Sequence, residues 1–435
     1  MADAVLNPVP ALPTGRTRVP QGALGLGLLI AATAVVAAGA ADNPSLLVHV
    51  PPGRFAGWLA GPLRELEAAA PSAPEFAGLL VAMVAGYLIA VRRASALGAR
   101  TVLGAIVLLH LIALLAPPLL TTDVFSYVAY GRLGALHGID PYVAAPIRVP
   151  HDAIYPWVGW RHARSAYGPL FTLLTYPLAA IGIAPAVWTL KLVAALSSLG
   201  CVALVWRTAL VRRIDPVRAV ALVGLNPVLL IWVVAGAHND LLMMLAMSAA
   251  VALAVTGREA AGAAAAVVGA AVKVSSVLIL PFLVLGSARR GRAVTGAVVA
   301  AAAVGLGAVL VFGGHAAGFL DVLGAQQHTA SGMSVPTTIA HLAGRPVAAP
   351  GLLTAVHVAG AAALLALVVA TARGLDWIEG AALALVVAAA ASGWLMPWYT
   401  VWALPLAVLV RRPRALIAVL ALQGLVLAHV LAATV

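Results

Sequence analysis

Apolar runs of roughly 17 to 25 residues recur from about residue 22 to residue 433, each long enough to cross a hydrocarbon core as a helix. Short arginine clusters separate many of them. The chain is 63% hydrophobic and 9% charged, with a mean hydropathy of +1.05. A water-soluble globule carries about 25% charged residues, so that class is excluded. The period-2 alternation of a membrane barrel is absent, and the Ala, Leu, Val and Gly-rich runs suit helices packed closely through small residues. The expected fold class is therefore all-α, a single polytopic membrane domain over residues 1–435.

The formal net charge of +12 does not point to nucleic acid, because the arginines form no amphipathic stripe. They fall instead in clusters such as Arg92-Arg93, Arg212-Arg213, Arg289-Arg290 and Arg411-Arg412, which report topology through the excess of cations in cytoplasmic loops. Satisfying these clusters gives a cytoplasmic N-terminus and about thirteen crossings, with residues 1–21 as a Pro-rich disordered start. In the segment 41–75, Trp58, Leu59, Leu63 and Leu66 beside Arg64, Glu65 and Glu67 predict an amphipathic helix lying on the membrane. Residues 169–185, bounded by prolines, read as a re-entrant or surface-lying helix. Cys201 is the one cysteine, so a disulfide framework and a cysteine metal site are both excluded within one chain.

One long polar and aromatic interval, 119–168, interrupts this pattern and is placed outside the cell as a loop. It holds Asp123, Asp140 and Asp152, four arginines (Arg132, Arg148, Arg161, Arg164), and a dense set of Tyr, Trp and His that includes Tyr127 and Tyr142. A carboxylate at the mouth of a membrane helix, followed by aromatics and cations, supplies a base, stacking faces and phosphate clamps in one place. The competing reading of any single aromatic there is interfacial anchoring. A second outer region, 314–349, carries Gln326, Gln327 and His328 without an evident role.

Only two of the 26 cationic Lys and Arg residues are lysines, Lys191 and Lys273, and both lie inside apolar runs. An ionisable group at membrane depth costs roughly 2.5–3.5 kcal/mol and marks a functional candidate. Lys273 interrupts the run between Arg258 and Arg289, where two short helices must leave and return to the same side. Broken helices of this kind line cavities. Its ammonium suits a phosphate, the alternative being an ion pair that holds the break together. Lys191 lies near a helix end, where its amine is free to snorkel.

His238-Asn239-Asp240 reads as a polar turn able to hydrogen-bond sugar hydroxyls or support Asp123, with a metal fragment as the weaker option. Trp394, Trp398, Tyr399 and Trp402 flank Pro397, either as anchors or as a stacking wall. All these features map to one membrane face. A base, cations and aromatics beside lipid fit sugar transfer from a lipid-linked phosphate donor.

The residues Asp123-Val-Phe-Ser-Tyr-Val-Ala-Tyr-Gly-Arg132, His137-Gly-Ile-Asp-Pro-Tyr142, Tyr167-Gly-Pro169, Asn226-Pro227, His238-Asn-Asp240, Lys273-Val-Ser275 and Trp398-Tyr399 resemble the GT-C class of polytopic glycosyltransferases. Within it they resemble the actinobacterial polyprenol-phosphomannose-dependent α-1,6-mannosyltransferase family. The resemblance implies an inverting enzyme of the plasma membrane that moves mannose from a polyprenyl-phosphate-mannose donor to a mannan or lipoglycan acceptor, on the outer face. It implies Asp123 as the base. Lys273 and Arg132, with Arg161 behind them, are expected to stabilise the departing phosphate, and Tyr127, Tyr142, Tyr167, His238, Asn239, Asp240, His328, Trp398 and Tyr399 to contact substrate. No cofactor is expected. Two alternatives stay open: another polyprenyl-phosphate sugar such as arabinose, and a lipid-linked-sugar transporter or flippase.

Overall fold

The computed structural model describes residues 18–41, 46–51, 53 and 55–434, and every regular element among them is helical. The chain runs through α1 (Arg18–Ala40), α2 (Ala73–Arg92), α3 (Ala99–Leu115) and α4 (Asp123–His137). Coil and short 3-10 turns lead to α5 (Pro169–Thr175), α6 (Ile183–Val211) and α7 (Pro216–Gly224). A π-helical segment, Leu229–Val234, precedes α8 (Asp240–Val255) and α9 (Glu259–Val272), and a 3-10 turn, Val274–Ile279, precedes α10 (Leu280–Gly286). The last six helices of eight residues or more are α11 (Arg290–Phe312), α12 (Gly318–Gln327), α13 (Val335–Leu342), α14 (Pro350–Ala372), α15 (Trp377–Ala391) and α16 (Arg414–Thr434).

Six of these are long and apolar enough to cross a bilayer on their own: α1, α2, α6, α11, α14 and α16. The other apolar runs, among them α3, α8, α9 and α15, form shorter helices, so lengths alone do not establish thirteen crossings. The expected disordered start over 1–21 lies largely outside the described residues, and α1 already begins at Arg18. The amphipathic helix expected within 41–75 is reduced to Gly57–Ala60 and a 3-10 turn, Gly61–Leu66. Gly61 takes φ 64° and Pro62 follows it, so a helix cannot run through. Part of that segment, 42–45 with 52 and 54, lies outside the described residues.

At the centre, α8 packs between α6 and α9, and α9 packs against α11. The α9 sequence is mostly Ala, Gly and Val, which lets backbones approach: a Cβ on Gly296 of α11 would lie 2.1 Å from the carbonyl of Ala260. On the periphery, α11 and α14 have only 6% of their spanning stretches buried by protein, as lipid-facing helices would. The π-helical segment is wholly buried, capped by the Asn226 side chain, whose oxygen accepts from Leu229 N–H (3.1 Å) and whose amide donates to Gln423 (3.0 Å). Asn226-Pro227 therefore marks a built break, since Pro227 has no N–H to continue α7.

The out-and-back path around Lys273 is present. The start of α9 and the end of α10 line one cavity, together with Arg212, Asp376 and Arg411, at one end of the bundle. From that end α8, α9 and α15 each run to the opposite end, where Asp240, Lys273 and Ser392 are found. Helices of 14 to 16 residues separate the two ends by about 20 Å.

Candidate functional site

The interval expected as a loop begins as a helix. Asp123 is the first residue of α4, following Thr122 at its N-cap, where unpaired N–H groups and the helix dipole favour a carboxylate. Its backbone N–H donates to Thr121 Oγ1 (3.1 Å), and the indole N–H of Trp160 donates to its Oδ1 (2.7 Å). Its other oxygen lies 3.6 Å from His238 Nδ1. The ring of His238 stacks on Trp398 with centroids 4.0 Å apart.

Two non-glycine residues in the left-handed region flank this centre. Leu120 has φ 59° just ahead of Thr121-Thr122-Asp123, and Ala237 has φ 57° just ahead of His238. Each such conformation stores roughly 1–3 kcal/mol and persists only where surroundings enforce it. Leu120 is held by its N–H to the carbonyl of Leu47 (2.7 Å).

Lys273 stands at the break itself, in extended backbone (φ −147°, ψ 124°) between α9 and the 3-10 turn. The break is satisfied from outside: Gly168 N–H donates to the freed carbonyl of Val272 (3.0 Å), and Ser276 Oγ donates to Ala266 O (2.9 Å). Gly168 must be glycine there, because a Cβ would lie 2.2 Å from the carbonyl oxygen of Ala271. The Tyr167-Gly168-Pro169 corner and the Lys273 break thus hold each other. The Lys273 ammonium pairs with Asp240 Oδ1 (2.8 Å) and lies 4.7 Å from the Tyr399 ring and 5.1 Å from the Trp402 ring. Trp402 donates to the same Asp240 oxygen (2.5 Å). The ion-pair role weighed for Lys273 is therefore real, and the ammonium still lines a cavity.

That cavity, about 60 Å³, is lined by Asp123, Lys273, Arg164, Tyr167, Trp398 and Tyr399 among others. Past Lys273 it continues into an apolar cavity of about 310 Å³ between the Val274–Leu278 stretch and Ala388 and Ala389 of α15. On the other side of Asp123 a third cavity, about 440 Å³, is bounded by Trp160, Met396 and Trp398 and reaches Phe76, Trp232 and Met333. Asp123 lines both the small cavity and this third one, while Lys273 lines the small cavity and the apolar one.

The remaining expected residues divide. Tyr127 lies beneath the centre, its hydroxyl 3.4 Å from His238 Nδ1 and from Asn239 Oδ1, with its ring edge-on to Tyr167 at 4.9 Å. Four lie away from the Asp123 cavity. Arg132 is held by Asp152 (2.8 Å), Arg161 donates to the carbonyls of Val158 and Pro156 and covers Tyr155, and Tyr142 packs on Phe312 with its hydroxyl on Tyr167 O (2.8 Å). His328 is exposed, while its neighbour Gln326 faces the cavity. Lys191 does not snorkel: it is fully buried and donates to the carbonyls of Ala113 (3.1 Å) and Ala235 (2.8 Å). Trp160 also lines the cavity, with Arg164 and Gln326, neither of which has a substrate role assigned from the sequence; Trp160 and Arg164 lie in irregular backbone and carry no periodic signal.

Asp152 organises the interval behind the site. Burial acts to raise its carboxyl, but hydrogen bonds from Arg132, His137 (2.6 Å) and the Ile154 amide (2.9 Å), with the Arg132 charge, hold it below the ordinary range. Among the described residues no three His, Cys, Asp or Glu side chains converge to hold a metal ion.

An all-helical bundle with several bilayer-length helices, holding a carboxylate and an ammonium in one aromatic-walled cavity, is the structure of a membrane-embedded protein. No solved structure matches the chain significantly. It belongs to the alpha-(1->6)-mannopyranosyltransferase family, whose N-terminal domain model matches residues 19–289, a span that contains Asp123, His238, Asp240 and Lys273. The chain is similar to alpha-(1->6)-mannopyranosyltransferase A of Mycobacterium tuberculosis, 29% identical over 155 residues that cover 34% of this chain and 30% of that protein. It is also similar to a probable alpha-(1->6)-mannopyranosyltransferase of Mycolicibacterium smegmatis, 30% identical over 155 residues, 34% of this chain and 28% of that protein. The matched stretch thus spans under a third of each relative's length.

Proposed function

We propose that this chain is an inverting GT-C mannosyltransferase of the plasma membrane, taking mannose from polyprenyl-phosphate-mannose and forming an α-1,6 linkage on a mannan or lipoglycan at the outer face. The observation that carries the reading is that the Asp123 carboxylate and the Lys273 ammonium line one cavity, from which an apolar cavity continues past Lys273. The polyprenyl chain lies in that apolar space. Its phosphate meets Lys273 and Arg164, whose charges stabilise the leaving group without protonating it.

The acceptor enters from the opposite space bounded by Trp160 and Trp398. Its hydroxyl attacks the anomeric carbon as the bond to the phosphate oxygen breaks, and Asp123 takes the hydroxyl proton. One displacement at a β-linked donor gives an α product. Trp160 fixes one oxygen of Asp123, leaving the other as the proton acceptor beside His238. The family and the similarity to two mannopyranosyltransferases support the sugar and the linkage.

The test uses the purified chain in lipid, radiolabelled polyprenyl-phosphate-mannose, the arabinosyl analogue, and a short α-1,6-mannoside acceptor. The expected result is an extended acceptor with an α-1,6 bond from the mannosyl donor alone. Transfer only from the arabinosyl donor would replace the sugar, and movement of the lipid across the bilayer without transfer would replace the enzyme with a transporter.

A further inference from the structure

A cavity of about 850 Å³ lies at the arginine-rich end, some helix length away from Asp123. Its wall carries three arginines, Arg212, Arg411 and Arg412, and three carboxylates, Glu259, Asp376 and Glu379, so the formal charges balance. One pair is already made: Arg212 binds Asp376 and donates to the carbonyl of Leu409 (2.7 Å). The other four groups are not paired with one another.

Glu379 is 2% exposed and its Oε1 is buried without a hydrogen-bond partner. Glu259, 6% exposed, joins it on the same wall. Leaving a buried carboxylate oxygen unsatisfied is costly, so such groups normally meet a donor. At the rim, Arg411 and Arg412 are exposed and make no hydrogen bond or ion pair among the described residues. Carboxylates inside and free guanidinium groups outside ask for a ligand that carries a cationic N–H donor and an anion a short distance apart. A buried carboxylate oxygen without a partner calls for an N–H donor, and among the described residues no three His, Cys, Asp or Glu side chains group to hold a metal ion.

Position narrows the ligand further. The cavity is lined by Gly286–Ala288, just ahead of α11, and by Gly374–Trp377, just after α14, the two of the six bilayer-length helices with the least protein cover, and Val211, Val255, Leu375 and Trp377 give it apolar walls. A tryptophan at the end of a bilayer-length bundle sits where headgroups lie. We propose that this cavity binds a phospholipid whose headgroup joins a phosphate to a primary ammonium, of the phosphoethanolamine type. The phosphate meets Arg411 and Arg412, and the ammonium donates to Glu379 and Glu259. The site is separate from the Asp123 centre and does not depend on its chemistry.

The experiment is native mass spectrometry of the full chain in detergent with an equimolar mixture of phosphatidylethanolamine, phosphatidylcholine and phosphatidylglycerol of one acyl composition. Choline has no N–H to donate and glycerol no positive charge, so the ethanolamine adduct should exceed both by roughly tenfold, as one charge-assisted hydrogen bond would give. Glu379→Gln combined with Glu259→Gln should bring ethanolamine down to the choline level, and Arg411→Ala with Arg412→Ala should weaken all three lipids. Brominated phosphatidylethanolamine should quench wild-type fluorescence more than that of Trp377→Phe, which locates the adduct. Equal or stronger binding of choline or glycerol lipid to the wild type overturns the proposal, and that comparison stands even if a variant fails to fold. An unchanged preference in the glutamine variant, equal quenching in Trp377→Phe, or no retained lipid does the same.

Discussion

Replacing Lys273 with Ala removes the cation of Asp240, which is 0% exposed, and leaves that carboxylate buried beside His238 with only an indole donor. Breaking one partner of a buried pair costs about 3–5 kcal/mol, so Lys273→Ala should lower the melting temperature as well as donor use. The two effects separate in the double variant Lys273→Met with Asp240→Asn: thermal unfolding in detergent should recover most of the stability while transfer stays lost. A double variant as unstable as the single one would show that the pair is not what Lys273 contributes to the fold. A second residue-scale prediction concerns Asp152. Its folded pKa lies below the unfolded value of about 3.9, so it contributes stability above that pH and loses it as pH falls through the folded value. Arg132→Ala removes a main cause of the shift, so the variant should start about 1–3 kcal/mol less stable at pH 7 and show a flatter fall below about pH 4. Melting temperatures between pH 3 and 7 test this; parallel curves for the two proteins would contradict it. At this scale the sequence made Asp123 and Lys273 conspicuous, because a carboxylate after an apolar run and a lysine inside one are each expensive to place. In sequence Arg132 is the expected phosphate partner and Arg164 has no assigned role. Only the fold gives Asp152 to Arg132 and leaves Arg164 facing the cavity.

Among elements, the meeting of the Tyr167-Gly168-Pro169 corner with the end of α9 sets where Lys273 stands. Gly168→Ala places a Cβ 2.2 Å from the carbonyl of Ala271 and should destabilise by about 1–3 kcal/mol while raising KM for the donor. Gly104→Ala is the control: it lies on an exposed face of α3 with nothing within 4 Å of the new methyl, and should be neutral or stabilising by up to about 1 kcal/mol. Matched thermal melts and donor titrations check both, and a neutral Gly168→Ala would remove the corner from the account. The break at Lys273 was legible because a polar Lys-Val-Ser-Ser stretch interrupts an apolar run of fixed total length. The helical nature of 123–137 was not, since its polar and aromatic residues face protein on all sides and leave no amphipathic period to read.

For the whole molecule, the orientation we propose rests on the arginine clusters: the end lined by Arg212 and Arg411 is assigned to the cytoplasm and the Asp123 end to the outside. Native Cys201 is 1% exposed and should stay silent to a membrane-impermeant thiol reagent, so His162→Cys, in the exposed part of the interval, should label in intact cells and Arg213→Cys only after lysis. The opposite pattern would invert the molecule. Crossing number was the least legible property, because a path made of two short helices has the same composition as one long helix, as the α9 to α10 hairpin illustrates. The central claim is that Asp123 removes the acceptor proton, and the most direct measurement is single-turnover transfer by Asp123→Asn in lipid with prebound polyprenyl-phosphate-mannose. The amide keeps the size of the carboxylate and its hydrogen bond from Trp160 but takes no proton. Donor retention and melting temperature should match wild type while the transfer rate falls about 10²- to 10⁴-fold; transfer within a few fold of wild type would contradict the account.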